Sequence, residues 1–477
     1  MATGLYCHRA SRTEGVGVGK YPDRVFVTGL GAVSAAGVGA DVLWDACLES
    51  RSFATDVPAR WERYYNSSSR VWAPLVEPDY RSVRIRRSEE LLLSRPALLG
   101  IVSTEIASNS AGLARATSST PGGGYAFTDV APERVGVFVG TGLGGAKSPF
   151  DNYAAHLLGG MKDALKELRD ERPDDLLVQE LADALGAHPR VNPMVICQTM
   201  PNALAANIAL RFGANAVAET FCAACASGTV AIGKAYRALL GGEVDIALAG
   251  GIEHLSDRAG GVFMGFDRLQ TLASPFAGVG TENRPFDADR SGFLFSEGGA
   301  GMAVLETGAS VKRRGAEKQI IAELVGFGQS NDAFSIAAIS PQHNTFTQML
   351  RAALVDAALT PDSIDYINTH GTGTILNDAT EASFIENTFG DKPFLNSTKS
   401  ILGHSIGAAG ALEFVVTALS LKHQTVHASR NLSKPIANLN FALETREAPL
   451  RYALSHNFGF GGHNAALVLK HYDGALG

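Results

Sequence analysis

No stretch of this 477-residue chain holds the roughly 18 uncharged apolar residues that cross a bilayer, so no membrane-spanning helix is expected. Cysteine is scarce. Cys7, Cys47, Cys197, Cys222 and Cys225 are too few and too dispersed for a disulfide scaffold, which makes reduced thiols the default. Positive charge is not in excess either: the formal net charge is -7, with Lys and Arg scattered, and this excludes nucleic acid as an expected partner. Residues 1–22 lack an apolar run and read as a flexible tail rather than a signal peptide. These absences leave a cytoplasmic globular protein with no membrane partner as the expectation. A composition of 45% hydrophobic and 19% charged residues fits that class.

What the chain does have is a recurring pattern of apolar, β-branched runs bounded by glycine or polar residues. Arg24–Thr28, Arg134–Val139, Val217–Phe221, Asp245–Ala249 and Gly301–Glu306 each read as a buried strand, with helically spaced segments such as Val230–Leu240 between them. Such alternation implies βαβ units and parallel strands. After Gly315 the order restarts at Ile320–Val325, Ile364–Asn368, Pro393–Asn396, Leu450–Ser455 and Ala465–Lys470. The chain therefore divides into an N-terminal half, 23–315, and a C-terminal half, 316–477, in a duplicated α/β fold whose halves pack face to face. A charged block at 162–190 carries Leu165, Leu168, Leu176, Leu177 and Leu181 at helical spacing and reads as an exposed helical excursion.

Three segments carry chemistry. Glu219 to Gly228 places Cys225 between a buried strand and a helix beginning near Ser227, where the helix dipole and free N–H groups lower a thiol pKa. Small neighbours leave room for a thioester. The segment alone does not separate a reactive thiol from a packed one. Cys222 and Cys225 form a C-x-x-C pair, but no second pair exists to complete a metal site, so no metal is expected, and Cys222, last in its strand, reads as packed. His370 and His404 stand in glycine-rich turns after strands, Asn368–Thr374 and Lys399–His404. Strand C-terminal ends are the usual ligand clefts of open α/β sheets, where Cys225, His370 and His404 can converge.

Together these segments resemble the signature regions of beta-ketoacyl-acyl-carrier-protein synthases of the elongating Cys-His-His type, from about Arg24 to Lys470. Thr28–Gly31, Gly140–Gly145, Asn283–Phe293 and the closing turn Asn457–Asn464 extend the match. The resemblance implies a thiolase-like fold, with duplicated βαβαβαββ halves in a five-layer αβαβα arrangement. It implies decarboxylative condensation of an acyl group held on Cys225 with a malonyl-type thioester, in fatty acid or polyketide synthesis. No bound cofactor is implied, the substrate riding on the phosphopantetheine arm of an acyl carrier protein. His370 and His404 would stabilise the enolate, and the N–H groups of Cys225 and Phe460 the acyl oxyanion. By the same resemblance Lys399 organises the site, Glu413 and Asp378 support it, Phe458 and Phe460 form an aromatic gate, and Leu143 and Phe266 line the acyl pocket. Implied partners are the carrier protein, with Arg84, Arg86 and Arg87 as a candidate docking patch, and a second chain, identical or a chain-length factor. Ile375, where the family often has proline, and the long charged block are departures from the family pattern that fit specialised metabolism but do not decide it against housekeeping fatty acid synthesis.

Four readings compete. Gly403–Gly407 satisfies the G-x-S-x-G elbow of a serine hydrolase using Ser405, yet residues 399–402 separate it from the preceding strand. Gly29-Leu30-Gly31 offers a weak nucleotide-binding turn, with Ser34 in place of a third glycine. A thiolase needs a second cysteine after Cys225, and none follows. An inactive scaffold subunit of a ketosynthase pair is the non-enzymatic reading.

Overall fold

Each apolar run read from the sequence becomes a strand of one large sheet in the computed structural model, which describes residues 24–62, 65–117, 124–145, 151, 161, 165–186 and 192–474. In chain order its main strands are β1 Val25–Ser34, β2 Val135–Gly140, β3 Ala218–Phe221, β4 Ile246–His254, β5 Gly298–Thr307, β6 Ala322–Asn331, β7 Tyr366–Asn368, β8 Phe394–Asn396, β9 Tyr452–Gly459 and β10 His463–His471. Six helices matter for the site: α1 Arg95–Ser110, α2 Ala203–Phe212, α3 Ser227–Leu240, α4 Asn344–Ala357, α5 Ile375–Phe389 and α6 Ala409–His423.

Strands pair in the order β8-β7-β9-β10-β6-β1-β5-β4-β2-β3, so each half repeats one arrangement outward from an antiparallel β1–β6 seam. Within each half the second strand runs parallel to the third and fourth, and the fifth is antiparallel to its neighbours.

Alternation along the strands builds the layers. Val135, Val137 and Val139 of β2 face an outer core with Leu98, Leu99 and Val102 of α1 and Ile208 and Phe212 of α2, while Phe138 faces inward. The second half mirrors this, with Val468 of β10 and Leu454 of β9 packed on Phe346, Met349 and Leu350 of α4 and Phe384 of α5. Between the half-sheets lie α3 and α6, whose Val230, Ile232, Phe414 and Val416 share a middle core with Leu305 of β5 and Leu467 of β10. Residues 409–421 of α6 are all buried, as a helix sealed between two sheets requires. The result is the thiolase-like five-layer αβαβα stack.

Two expectations are corrected. Gly29 and Gly31 stand inside β1 rather than in a turn after it, and each faces a carbonyl of α1, Ala107 and Ser103, where a Cβ would overlap. No nucleotide turn exists there. Strand β3 ends at Phe221, which leaves Cys222 exposed rather than packed. Residues 1–22, 162–164 and 187–190 lie outside the described residues, but 165–171 and Leu176–Gly186 are helical, with Leu176, Leu177 and Leu181 exposed as expected of an excursion.

Candidate active site

The chain leaves β3 through residues 222–226 and enters α3 by a 3-10 turn, Ala224–Ala226, in which Ala224 adopts a left-handed φ of 47°. That strained turn lifts Cys225 into a cavity while Ser227 locks it from below, accepting from the Ala223 N–H and donating to the Thr141 carbonyl. The sulfur is nearly sealed. Burial pushes the thiol up to about 12, while the Lys399 charge and the backbone N–H of Phe460 act against it. The helix-terminus argument named a real local effect, but desolvation outweighs it. Backbone N–H groups of Phe460 and Cys225 both point at the sulfur, so the two donors expected for an acyl oxyanion share one spot.

His370 follows β7 and His404 follows β8, and their rings meet edge to face at 5.6 Å. His404 Nε2 lies 3.1 Å from Cys225 Sγ, and its Nδ1 accepts the Ile406 N–H at 3.3 Å. An Nδ1 that accepts carries no proton, so Nε2–H is the donor facing the sulfur. His370 reaches the same state by other means. Its Nδ1 faces two donors, Lys399 Nζ and Asn457 Nδ2, each at 3.2 Å. Burial and the Lys399 charge hold both imidazoles well below the usual histidine range, so both are neutral.

Lys399 opens the helical turn Lys399–Leu402 and is fully buried against Glu413 of α6, whose second oxygen accepts from Asn457 at 2.6 Å. The His370 loop is itself fastened from α5. Glu381 accepts the N–H groups of His370 and Gly371 at 2.7 and 2.8 Å, and pairs with His456 at 2.6 Å. Asp378 accepts the N–H groups of Thr372, Gly373 and Phe286, and burial pushes its carboxyl up to about 6. It therefore shapes the loop and does not touch Lys399. In the first half Glu253, at the end of β4, accepts from Gly142 at 2.6 Å and Gly407 at 3.1 Å, and burial raises it to about 7.

Cys225, His370 and His404 line one cavity of about 410 Å³, walled by Phe266, Phe293, Phe458 and Phe460 and opening past Ser335 and Leu376. Phe458 stacks on Phe346 at 4.1 Å, and Phe266 meets Phe460 at 6.5 Å. The structure does not bring Leu143 to this cavity: the residue is 43% exposed, and its N–H donates to Glu253. Arg84, Arg86 and Arg87 are exposed but contribute nothing to the cavity wall. Ser405 is buried between the Lys399 turn and α6 with no strand running into it, so the hydrolase elbow is not built.

Sequence reasoning missed Glu253, Glu381, His456 and Asn457. Polar residues set in apolar strands were the available signal for Glu253, His456 and Asn457.

Comparison with known proteins bears on this geometry. Residues 22–310 match the beta-ketoacyl synthase N-terminal domain, and residues 321–433 match its C-terminal domain. A 3-oxoacyl-[acyl-carrier-protein] synthase 2 of Mycobacterium tuberculosis (strain ATCC 25618 / H37Rv) is 31% identical over 466 residues, 95% of this chain and 99% of that protein. The protein of that name from Staphylococcus aureus (strain N315) is 31% identical over 73% of this chain and 77% of its own. Among solved structures, a beta-ketoacyl synthase from Burkholderia phymatum STM815 superposes with a TM-score of 0.77 at 28% identity, covering 94% of this chain and 100% of that one. A type II PKS acyl-carrier protein in complex with its ketosynthase bound to the hexaketide gives 0.75 at 26% identity, over 95% and 100%. The ishigamide ketosynthase/chain length factor gives 0.74 at 28%, over 94% and 99%.

Proposed function

Because the chain belongs to the beta-ketoacyl synthase family, and is a ketosynthase condensing acyl-carrier-protein-bound substrates in fatty acid or type II polyketide synthesis, we propose how its residues divide the reaction. Cys225 is the nucleophile. Its sulfur attacks the acyl thioester carbonyl, the carrier thiol leaves with the proton, and the acyl group stays on the enzyme. The extender then enters on a second carrier. Its carbon-carboxylate bond breaks, carbon dioxide departs, and the electron pair moves onto the thioester oxygen.

Two neutral imidazoles that both present Nε2–H suit that oxygen, since fixed donors aimed at developing charge act strongly in a dry site. This paired tautomer is the observation that carries the reading. The enolate carbon attacks the acyl carbonyl, whose oxyanion rests on the N–H groups of Cys225 and Phe460, and collapse returns the thiolate. Lys399 and Glu413 keep His370 neutral and oriented, and Phe458, Phe460 and Phe266 shape the acyl space. Residues 23–315 supply the nucleophile and 316–477 the histidines. The substrate arrives on a phosphopantetheine arm, a second copy or a chain-length factor completes a dimer, and Arg84, Arg86 and Arg87 offer an acidic carrier a contact.

Intact-mass measurement after incubation with acyl-loaded carrier protein tests this. Wild type gains one acyl group and Cys225→Ala gains none. His370→Ala and His404→Ala still acylate, yet release carbon dioxide from malonyl carrier on the order of 100-fold to 1,000-fold more slowly. Acylation surviving in Cys225→Ala overturns the assignment.

A further inference from the structure

Asn457, fully buried on β9, touches no reacting atom, yet three segments converge on its side chain. Its Oδ1 accepts from the Thr229 hydroxyl of α3. Its Nδ2 donates to Glu413 of α6 at 2.6 Å and reaches His370 Nδ1 at 3.2 Å. Carboxylate on one side and hydroxyl on the other fix which end of the amide is nitrogen, because a reversed amide would set oxygen against oxygen at Glu413. The space is made to measure: a Cβ on Gly410 would overlap both Thr229 and Asn457.

Histidine tautomers are set by what the nitrogen away from the ligand meets. At His370 that nitrogen meets two donors, and the Nε2 proton is forced toward the cavity. We infer that Asn457 is a positioning residue which, together with Lys399, holds His370 in the neutral Nε2–H tautomer and thereby governs decarboxylation of the extender without acting on acyl transfer to Cys225. This rests on the assignment of His370 to the enolate oxygen. Charged or titratable groups around His370 are Lys399, Glu413 behind it, His404, His456, and Glu381 and Asp378 beneath its loop.

Asn457→Asp is the sharpest probe, since it keeps the shape and turns the donor into an acceptor. The new carboxylate draws a proton onto Nδ1. At low pH His370 becomes an imidazolium that still donates from Nε2, but as pH rises the proton lost is the one at Nε2. Decarboxylation of malonyl carrier should therefore fall about 100-fold at neutral pH, as when one oxyanion donor is removed, and recover toward acid, where wild type stays flat. Acylation of Cys225, read by intact mass, should change less than about threefold. In histidine-labelled protein the Nδ1 nitrogen resonance of His370 should move from the unprotonated to the protonated position. Thr229→Val, which only frees the amide to rotate, should give a smaller loss of the same kind and carries the test if the aspartate variant does not fold. Unchanged decarboxylation, or equal loss of both half-reactions in folded variants, overturns the inference. Decarboxylation that survives His370→Ala refutes instead the role assigned to that histidine.

Discussion

Two halves with one scaffold hold different chemistry. In each, a 3-10 turn with one left-handed residue opens onto a buried central helix: Ala224, φ 47°, before α3 and Ile406, φ 48°, before α6. The following residue is Cys225 in the first half and Gly407 in the second. One turn lifts a thiol into the cavity, whereas the other turns a backbone N–H toward Glu253. Connection length differs as well. The first half passes from strand to helix through residues 222–226, and the second through 397–408, which adds the turn bearing Lys399 and leads into His404. Duplication thus supplied two equivalent helix entrances, and the longer connection let one of them carry charge and imidazole while the other carries the thiol of Cys225.

Removing the charge from the second half gives the largest expected effect on stability. Lys399→Met leaves Glu413 buried beside Asn457 with no counter-charge, which should cost about 3–5 kcal/mol. Glu413→Gln added to it should recover most of that loss, since the uncompensated charge is then gone. Urea denaturation midpoints at unchanged slope measure both. If the single variant loses under about 1 kcal/mol, the pair does not anchor this half.

A subtler test asks how deep the duplication runs. Gly29 and Gly31 press on Ala107 and Ser103 of α1, and Gly326 and Gly328 press on Ala353 and Met349 of α4. Bulges fall at matching places, between Val27 and Gly29 and between Leu324 and Gly326. Gly31→Ala and Gly328→Ala should therefore destabilise by similar amounts, about 1–3 kcal/mol each, by forcing a helix off its strand. Unequal losses would show that one contact relaxes where the other does not.

These glycines also show what was legible in the sequence. All ten strands could be read because strands buried on both faces are near-continuous apolar runs, Cys225 because it stands between such a strand and a helix start, and His370 and His404 because they stand in glycine-rich turns after strands. The repeat Gly-x-Gly in Gly326-Phe327-Gly328 was present but carried no meaning until α4 was seen against it. Asn457 and Glu381 stayed hidden for a different reason. Their partners are distant in sequence, Asn457 to His370 by 87 residues and Glu381 to His456 by 75, so only folding reveals the pairing. Burial misled in the other direction at Cys225, where a local dipole argument ignored the desolvation that tertiary packing imposes.

The smallest effect belongs to the carboxylate that ties the halves together. Glu253 accepts four donors, all uncharged, from Thr141, Gly142, Leu143 and Gly407, and without a counter-charge burial dominates and raises it to about 7. A carboxyl raised on folding stabilises the native state fully below its unfolded value near 4.5, and that contribution is lost as pH rises through about 7. Relative to Glu253→Gln, wild type should therefore lose about 1 kcal/mol between roughly pH 5 and pH 7.5, a fraction of the limit for one proton. Asp378, raised to about 6, titrates in both proteins and cancels in the difference. The same ionisation opposes thiolate at Cys225, so iodoacetamide labelling in the glutamine variant should begin at lower pH. Parallel stability curves with a labelling profile that does not move would mean that the clasp holds its proton throughout, and that the two halves are joined there by hydrogen bonds alone.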